Sequence, residues 1–374
     1  MRPVGELCLL AVDCVNKTAP RVDHETPFKM IRTTNVKSGF VYLDDVGYVS
    51  EETFDKWTRR SKPQYGDVIL TREAPVGEVG RFTSNDENIF LGQRLFHYRA
   101  DPKLLDWNFL AYMLQSHEVQ GRLRSMGFGA TVEHIKVGDA ENLLIPCPPV
   151  DVQRHIGAIL AAYDDLIENN RRRMALLEDS ARLLYREWFV RLRFPGYEHT
   201  PVVDGVPQGW ERKTLGESIK LNYGKALKAE TRIEGEFPVY GSSGIVGTHE
   251  KPLVKGPAII LGRKGNVGSV YWSSKSFFPI DTVYFVDADS SSLYLYYALK
   301  NMHFISSDVA VPGLNRDFAY SRFLLHPPAT LLHAFLDTVV PVHAQLDKLT
   351  EVNQKLRAAR DLLLPRLMSG EIAV

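Results

Sequence analysis

Cysteine is scarce in this chain of 374 residues: Cys8, Cys14 and Cys147 are all there is, and no two make a CxxC pair. A disulfide framework or a cysteine-built zinc site is therefore not expected, and a reducing cytoplasm is the simplest compartment. Net charge is missing as well, because 45 Lys and Arg balance 45 Asp and Glu. That argues against bulk attraction to a polyanion but leaves a local basic patch open. Long apolar runs are absent. The opening "MRPVGELCLLAVDC" holds about seven apolar residues in a row, too few for a spanning helix and a poor signal peptide. No membrane partner is expected.

Catalytic motifs are missing too. There is no GxxxxGK[ST] phosphate loop, and "GRKGNVGS" has the wrong spacing and ending for one. Neither HExxH nor GxSxG occurs. The Asn-Pro-Pro-aromatic tetrapeptide that amino-methyltransferases place around a flipped base is not found. The "GFG" at 127–129 is too short to be a cofactor loop. No catalytic residue, metal site or resident cofactor is predicted.

What remains is an ordinary globular composition, 44% hydrophobic and 10% aromatic, in a chain long enough for two or three cores. Near the midpoint lies "LIENNRRRMALLEDSARLLYREWFV", residues 166–190, apolar on one side and basic on another. A helix is predicted to start after Pro148 and Pro149, since proline is tolerated in a first turn. From there, alternating steps of four and three residues meet Ile156, Leu160, Tyr163, Ile167, Asn170, Met174, Leu177, Ala181, Leu184 and Trp188. Nine of these ten are apolar or aromatic, which is a coiled-coil seam. It must stop before the Pro- and Gly-rich "RFPGYEHTPVVDGVPQGW".

A shift of 179 residues carries that seam onto Phe335, Val339, Val342, Leu346, Leu349, Asn353, Leu356, Arg360, Leu363 and Leu367, and the proline pair onto Pro327 and Pro328. Pro341 lies inside the second pattern and predicts a break: a short helix before it and the main one from Val342 to about Met368. Asn170 and Asn353 are expected to fix register at some cost in stability.

The globular stretches repeat more loosely. "GDVILTREAPVGEVGRF" (66–82) parallels "KGPAIILGRKGNVGSVYW" (255–272), and "LGQRLFHYRAD" parallels "FPIDTVYFVDAD". Helical segments follow, "WNFLAYMLQS" and "SLYLYYALKN", and each half closes on a proline pair. This is a tandem duplication. The predicted boundaries are domain 1 at 1–148, a central helix at 149–192, a linker at 193–209, domain 2 at 210–326 and a C-terminal helix at 327–374. The fold class is α+β: two mixed α/β domains joined by two long helices packed as an antiparallel coiled coil with a pseudo-twofold axis.

A helix of about 27 residues spans roughly 40 Å, comparable to one turn of B-DNA, about 34–36 Å. The loops fit that scale with the chemistry of a DNA reader. In domain 2, "NYGKALK", "VYGSSGIVG", "GRKGNVGS" and "PGLNR" present Tyr223, Lys225, Tyr240, Ser242, Ser243, Arg263, Lys264, Asn266, Asn315 and Arg316 on glycine turns. Arg and Asn bond base edges bidentately, while Lys, Ser and backbone amides hold phosphates. The domain 1 candidates are Arg72, Glu73, Gln93, Arg94, Thr131, His134 and Lys136. The arginines at 171–173, with Arg182 and Arg186, read either as a solvated helix face or as phosphate contacts between half-sites.

Together these pieces resemble the specificity subunit of Type I restriction–modification enzymes. The resemblance covers essentially the whole chain and rests on "IENNRRRMALLEDSARLLYREWFVRLRFPG", "GWERKTLGE", "VYGSSGIVG", "GRKGNVGSVYW", "FPIDTVYFV", "VPGLNR" and "ARDLLLPRLMSGEI". It implies two target-recognition domains, each reading half of a split asymmetric site in double-stranded DNA, with helices setting the gap. It implies a non-catalytic chain carrying two methyltransferase subunits, which hold S-adenosylmethionine, and in restricting systems ATP- and Mg2+-dependent restriction subunits. One departure stands out: the first domain opens on "MRPVGELCLL" and lacks the Trp-containing "GWERKTLGE" that opens the second. The alternative reading is a coiled-coil adaptor with two protein-binding domains.

Overall fold

Past Pro149 the chain turns helical at once, and one helix runs Val150–Tyr185 before closing in a π-helical turn, Arg186–Val190. A second helix runs Ala329–Met368. The architecture comes from a computed structural model that describes residues 1–126, 134–304 and 313–374. The chain forms two compact units: Met1–Asn169 with Asn353–Val374, and Asn170–Val352. Each unit owns one globular part and one half of each long helix.

The second helix corrects the predicted break. It passes through Pro341 without interruption. Pro341 and Asp337, whose carbonyl loses its amide partner, are both exposed, so water replaces the missing bond. Phe335 and Val339 before the proline, and Leu346 and Leu349 after it, are buried. Burial of about 1.5–3 kcal/mol per large apolar side chain on both sides outweighs a local defect of about 3 kcal/mol.

In the first unit, Ile167 and Asp164 of the central helix meet Asn353 and Arg360 of the C-terminal one. Rising numbers face falling ones, so the pair is antiparallel. Ile167, Asn170, Leu346, Leu349 and Asn353 are buried, and Met174, Leu177, Leu184, Leu356 and Leu363 are half-buried. Asn353 Nδ2 donates to the Ile167 carbonyl at 3.3 Å, a bond that exists only in one register, as a buried seam asparagine requires. In the second unit, Tyr185, Trp188 and Phe189 of the central helix pack around Phe335.

Each unit's sheets repeat the same plan. The first has the strand order Cys8–Asp13, Leu95–Ala100, Asp67–Thr71, Val79–Phe82, extended by Gly39–Val41 and Val36–Lys37. The second has Asn222–Tyr223, Val283–Val286, Ala258–Gly262, Val270–Ser273 in the same order. Smaller sheets match as well: Lys29–Ile31 lies parallel to Ile89–Leu91 and antiparallel to Gly47–Tyr48, as Phe237–Gly241 lies parallel to Phe278–Pro279 and antiparallel to Gly244–His249. The abrupt N-terminus has its counterpart too. Arg2–Pro3 pairs with Leu144–Ile145, as Glu211–Thr214 pairs with Phe323–His326.

One helix covers each main sheet, Trp107–Gln115 or Leu293–Asn301. Asp106 and Ser292 cap them by accepting from Phe109 N at 2.8 Å and Leu295 N at 3.1 Å. The central helix presses against the first cap, since a Cβ on Gly157 would stand 2.6 Å from Asp106 Oδ1. Beside it, buried Gln153 accepts from Asp106 N and donates to Pro148 O.

Candidate nucleic-acid interface

A hairpin, a strand-end loop and a late loop converge at one point in each unit, and the same backbone bonds hold both junctions. In the first, Arg72 N donates to Arg94 O at 2.8 Å and Ile135 N donates to Arg72 O at 3.0 Å. In the second, Arg263 N donates to Thr282 O at 2.9 Å and Leu314 N donates to Arg263 O at 2.8 Å. The hairpins close alike, Gly77 N on Thr71 O and Gly268 N on Gly262 O. Gly77 and Gly268 have φ of 87° and 78°, a left-handed conformation that glycine adopts freely. The duplication therefore fixes Arg72 and Arg263 as equivalent points from which the loops are hung.

The side chains on the first junction are mutually engaged. Arg72 Nε donates to Ile135 O at 2.8 Å and its side chain is only 11% exposed, so it braces the junction from inside. Arg94 is more open and pairs with Glu73 at 3.0 Å. Its φ of 71° is a conformation L residues rarely adopt, costing on the order of 1 kcal/mol. Gln93 accepts from Thr18 Oγ1 at 3.2 Å. His134 is half-buried and its backbone bridges to Glu73, while Lys136 is exposed at the start of Val137–Glu141. The structure thus brings Arg72, Glu73, Arg94, His134 and Lys136 together. Thr131 lies outside the described residues.

The second junction is more open. Lys225, Ser243, Lys264, Asn266, Asn315 and Arg316 are exposed, and Tyr223 is 51% exposed. Tyr223 packs on Tyr284 with ring centroids 5.0 Å apart. Burial pushes the Tyr284 phenol up to about 12, so it stays a neutral donor to Leu314 O at 3.1 Å. Arg263 Nη2 donates to Asp281 O at 2.7 Å. Ser242 carries the hairpin tip: its carbonyl accepts from Ser269 Oγ at 2.6 Å and Tyr271 OH at 3.1 Å. Asn315 caps the short helix Arg316–Tyr320 through Oδ1, which ties up its acceptor. Tyr240 needs correction as a surface candidate. It is buried at 7% and packs edge-on against Phe277, because this end of its strand, residues 239–241, is buried on both faces and its ring joins the core around Val254, Ala258 and Ile260.

Periodicity and motif reading missed three features. Asp281 and Thr282 hold Arg263, yet they sit in a stretch that reads only as strand. Tyr185 and Phe189, outside the seam phase, are buried. Leu176, Leu183 and Leu362 are 68%, 51% and 71% exposed on the long helices; an apolar residue off the seam is the signal that could have flagged them. The arginines at 171–173 are exposed. Among the described residues, no helix is long and apolar enough to cross a membrane, and no cluster of His, Cys, Asp and Glu is suited to a metal ion.

Comparison with known proteins follows the same lines. The Type I restriction modification DNA specificity domain matches residues 13–179 and 207–318. The Type I restriction enzyme MjaIX specificity subunit of Methanocaldococcus jannaschii is 24% identical over 367 residues, spanning 87% of this chain and 82% of its own. The HindI specificity subunit of Haemophilus influenzae is 21% identical over 397 residues, with 82% and 86% covered. The crystal structure of a Type-I restriction-modification system S subunit from M. genitalium shares the fold, with a TM-score of 0.59 at 21% identity over 98% of this chain and 95% of that one. Two matched segments over most of the chain, relatives along its length and a common fold place this protein in the family of Type I restriction–modification specificity subunits.

Proposed function

We propose that this chain supplies DNA sequence recognition to a Type I restriction–modification complex and performs no chemistry itself. Each unit reads one half of a split, asymmetric site, and the helices set the gap between halves. Two methyltransferase subunits dock on the helical region and hold S-adenosylmethionine; restriction subunits, where present, bring ATP and Mg2+ chemistry. The observation that carries this reading is the duplicated junction around Arg72 and Arg263. One backbone scaffold is used twice with different side chains on it, as two readers of unlike half-sites need. Phosphate contacts from exposed Lys and Arg would position the units, and base-edge contacts would specify them.

The test is methyladenine-resolving sequencing of genomic DNA from cells expressing this chain with its methyltransferase subunit, and from cells lacking only this chain. A split motif of fixed gap that disappears with the chain is expected. No difference, with both proteins present and associated, would favour the protein-binding adaptor. Duplex binding separates the two readings as well, because DNA recognition weakens steeply with salt and prefers one sequence.

A further inference from the structure

Arg316 and Arg263 share one aromatic platform. Their guanidinium carbons stand 5.3 and 5.5 Å from the centroid of the Tyr223 ring, which is half exposed and held from behind by Tyr284. The two arginines differ in freedom. Arg263 is tied to Asp281 O, whereas Arg316 is exposed and, among the described residues, makes ring contacts without a hydrogen bond or ion pair. A guanidinium held over an aromatic ring keeps its edge donors available for another partner. Such an edge matches a planar pair of acceptors. On duplex DNA that pair is the O6 and N7 of guanine or two oxygens of a phosphate.

The surroundings favour the base. A phosphate can be held by a point charge as well as by a fork, and Lys225, Lys228 and Lys264 are exposed in the same loops to provide one. Holding a guanidinium over a tyrosine fixes its position, a selectivity that a phosphate contact does not need. The platform also sits at the junction that the duplication preserves, because Arg263 bonds Thr282 and Leu314, the residue two before Arg316.

We propose that Arg316, oriented by Tyr223 and braced by Arg263, reads a guanine in the half-site of the second unit. This rests on the proposed role in DNA recognition and names the base chemistry of one contact. The experiment uses the chain assembled with its methyltransferase subunits, and the wild-type motif is read first by methyladenine sequencing. Arg316→Lys keeps the charge and loses the bidentate edge. It is expected to relax one guanine position in that half-site, with discrimination falling about five- to 150-fold. Tyr223→Ala should relax the same position and Tyr223→Phe should not, since only the ring face is used. Wild-type complex should lose affinity when that guanine is replaced by 7-deazaguanine, and Arg316→Ala should be indifferent to the change. Uniform weakening across sequences on Arg316→Ala, with the salt slope reduced by about one, would make Arg316 a phosphate contact and overturn the assignment. An unchanged motif in folded Arg316→Ala would also overturn it. A wild-type chain conferring no motif at all would instead overturn the underlying reading.

Discussion

Asp164 shows at a single residue how differently the two halves of a duplication can solve one packing problem. Its carboxylate is buried and bound by Arg81 Nη2 at 3.2 Å, by Tyr112 OH at 2.6 Å and by Arg360. Arg81 is equally buried and stacks over Phe40 at 4.5 Å. Removing one partner from a buried pair strands the other charge, so Asp164→Ala should lose roughly 3–5 kcal/mol in urea unfolding; a loss below about 1 kcal/mol would show that the network is solvated. The shift of 179 residues carries Asp164 onto His343 and Arg360 back onto Ala181. There neither the carboxylate nor the guanidinium is kept. His343 Nε2 faces Tyr297 OH at 2.9 Å and its ring packs against Trp272 and Tyr296.

Burial, and next the Lys300 charge, hold the His343 imidazole down to about 4. An unfolded histidine titrates near ~6.5. Above that pH both states are neutral and stability does not depend on this group. Between about 6.5 and about 4 the unfolded chain takes up a proton that the folded chain refuses, and up to about 3 kcal/mol is lost. His343→Phe should flatten that part of the profile. Denaturation of both proteins at about pH 7 and about pH 5 tests it, and identical pH dependence would mean that His343 is not shielded.

At the scale of elements, the long helices were legible because a seam is a local property: every third or fourth residue carries it, whatever the surroundings. The rule that failed was also local. Proline removes one bond wherever it stands, but whether a helix breaks depends on what flanks the defect, and here both flanks are packed. Pro341→Ala restores the amide on an exposed face. It should stabilise the protein by about 1–2 kcal/mol, after allowance for the stiffer unfolded chain that proline gives; a lowered melting midpoint would mean that the proline shape is required. The loops were legible in composition and not in geometry. Glycine spacing located "GRKGNVGS" and "VYGSSGIVG", yet it could not show that Tyr240 points inward or that Arg72 braces the junction while Arg316 stands open.

For the whole molecule, the exposed leucines bear on assembly. The seam shift relates Leu183 to Leu362, so both copies of the helical repeat keep a leucine in water. Charge at either site should not disturb folding, since surface changes rarely exceed ±0.5 kcal/mol. Leu183→Glu and Leu362→Glu should each weaken capture of the methyltransferase subunit by about tenfold or more, if these side chains anchor the partner. Titration calorimetry with the purified subunit measures this, and unchanged affinity in both variants would move the docking surface elsewhere. The gap is the second property at this scale. Four residues inserted in the central helix add about 6 Å, and the methylated motif should return with a longer gap; an unaltered gap would mean that the helix does not set it.

By itself the sequence determined the duplication, the two seams with the asparagines buried in them, and the family, because each is written as a period or an ordered string along the chain. It also located the loops that present polar residues. Tertiary structure alone decided the rest. Which arginine is a half-buried brace, which lies exposed over a ring, and whether a repeat position holds a shared carboxylate or a caged histidine depend on groups far apart in the chain. Arg81 meets Asp164, and Tyr297 meets His343. Those pairings follow from burial and charge compensation in three dimensions, which no one-dimensional period encodes.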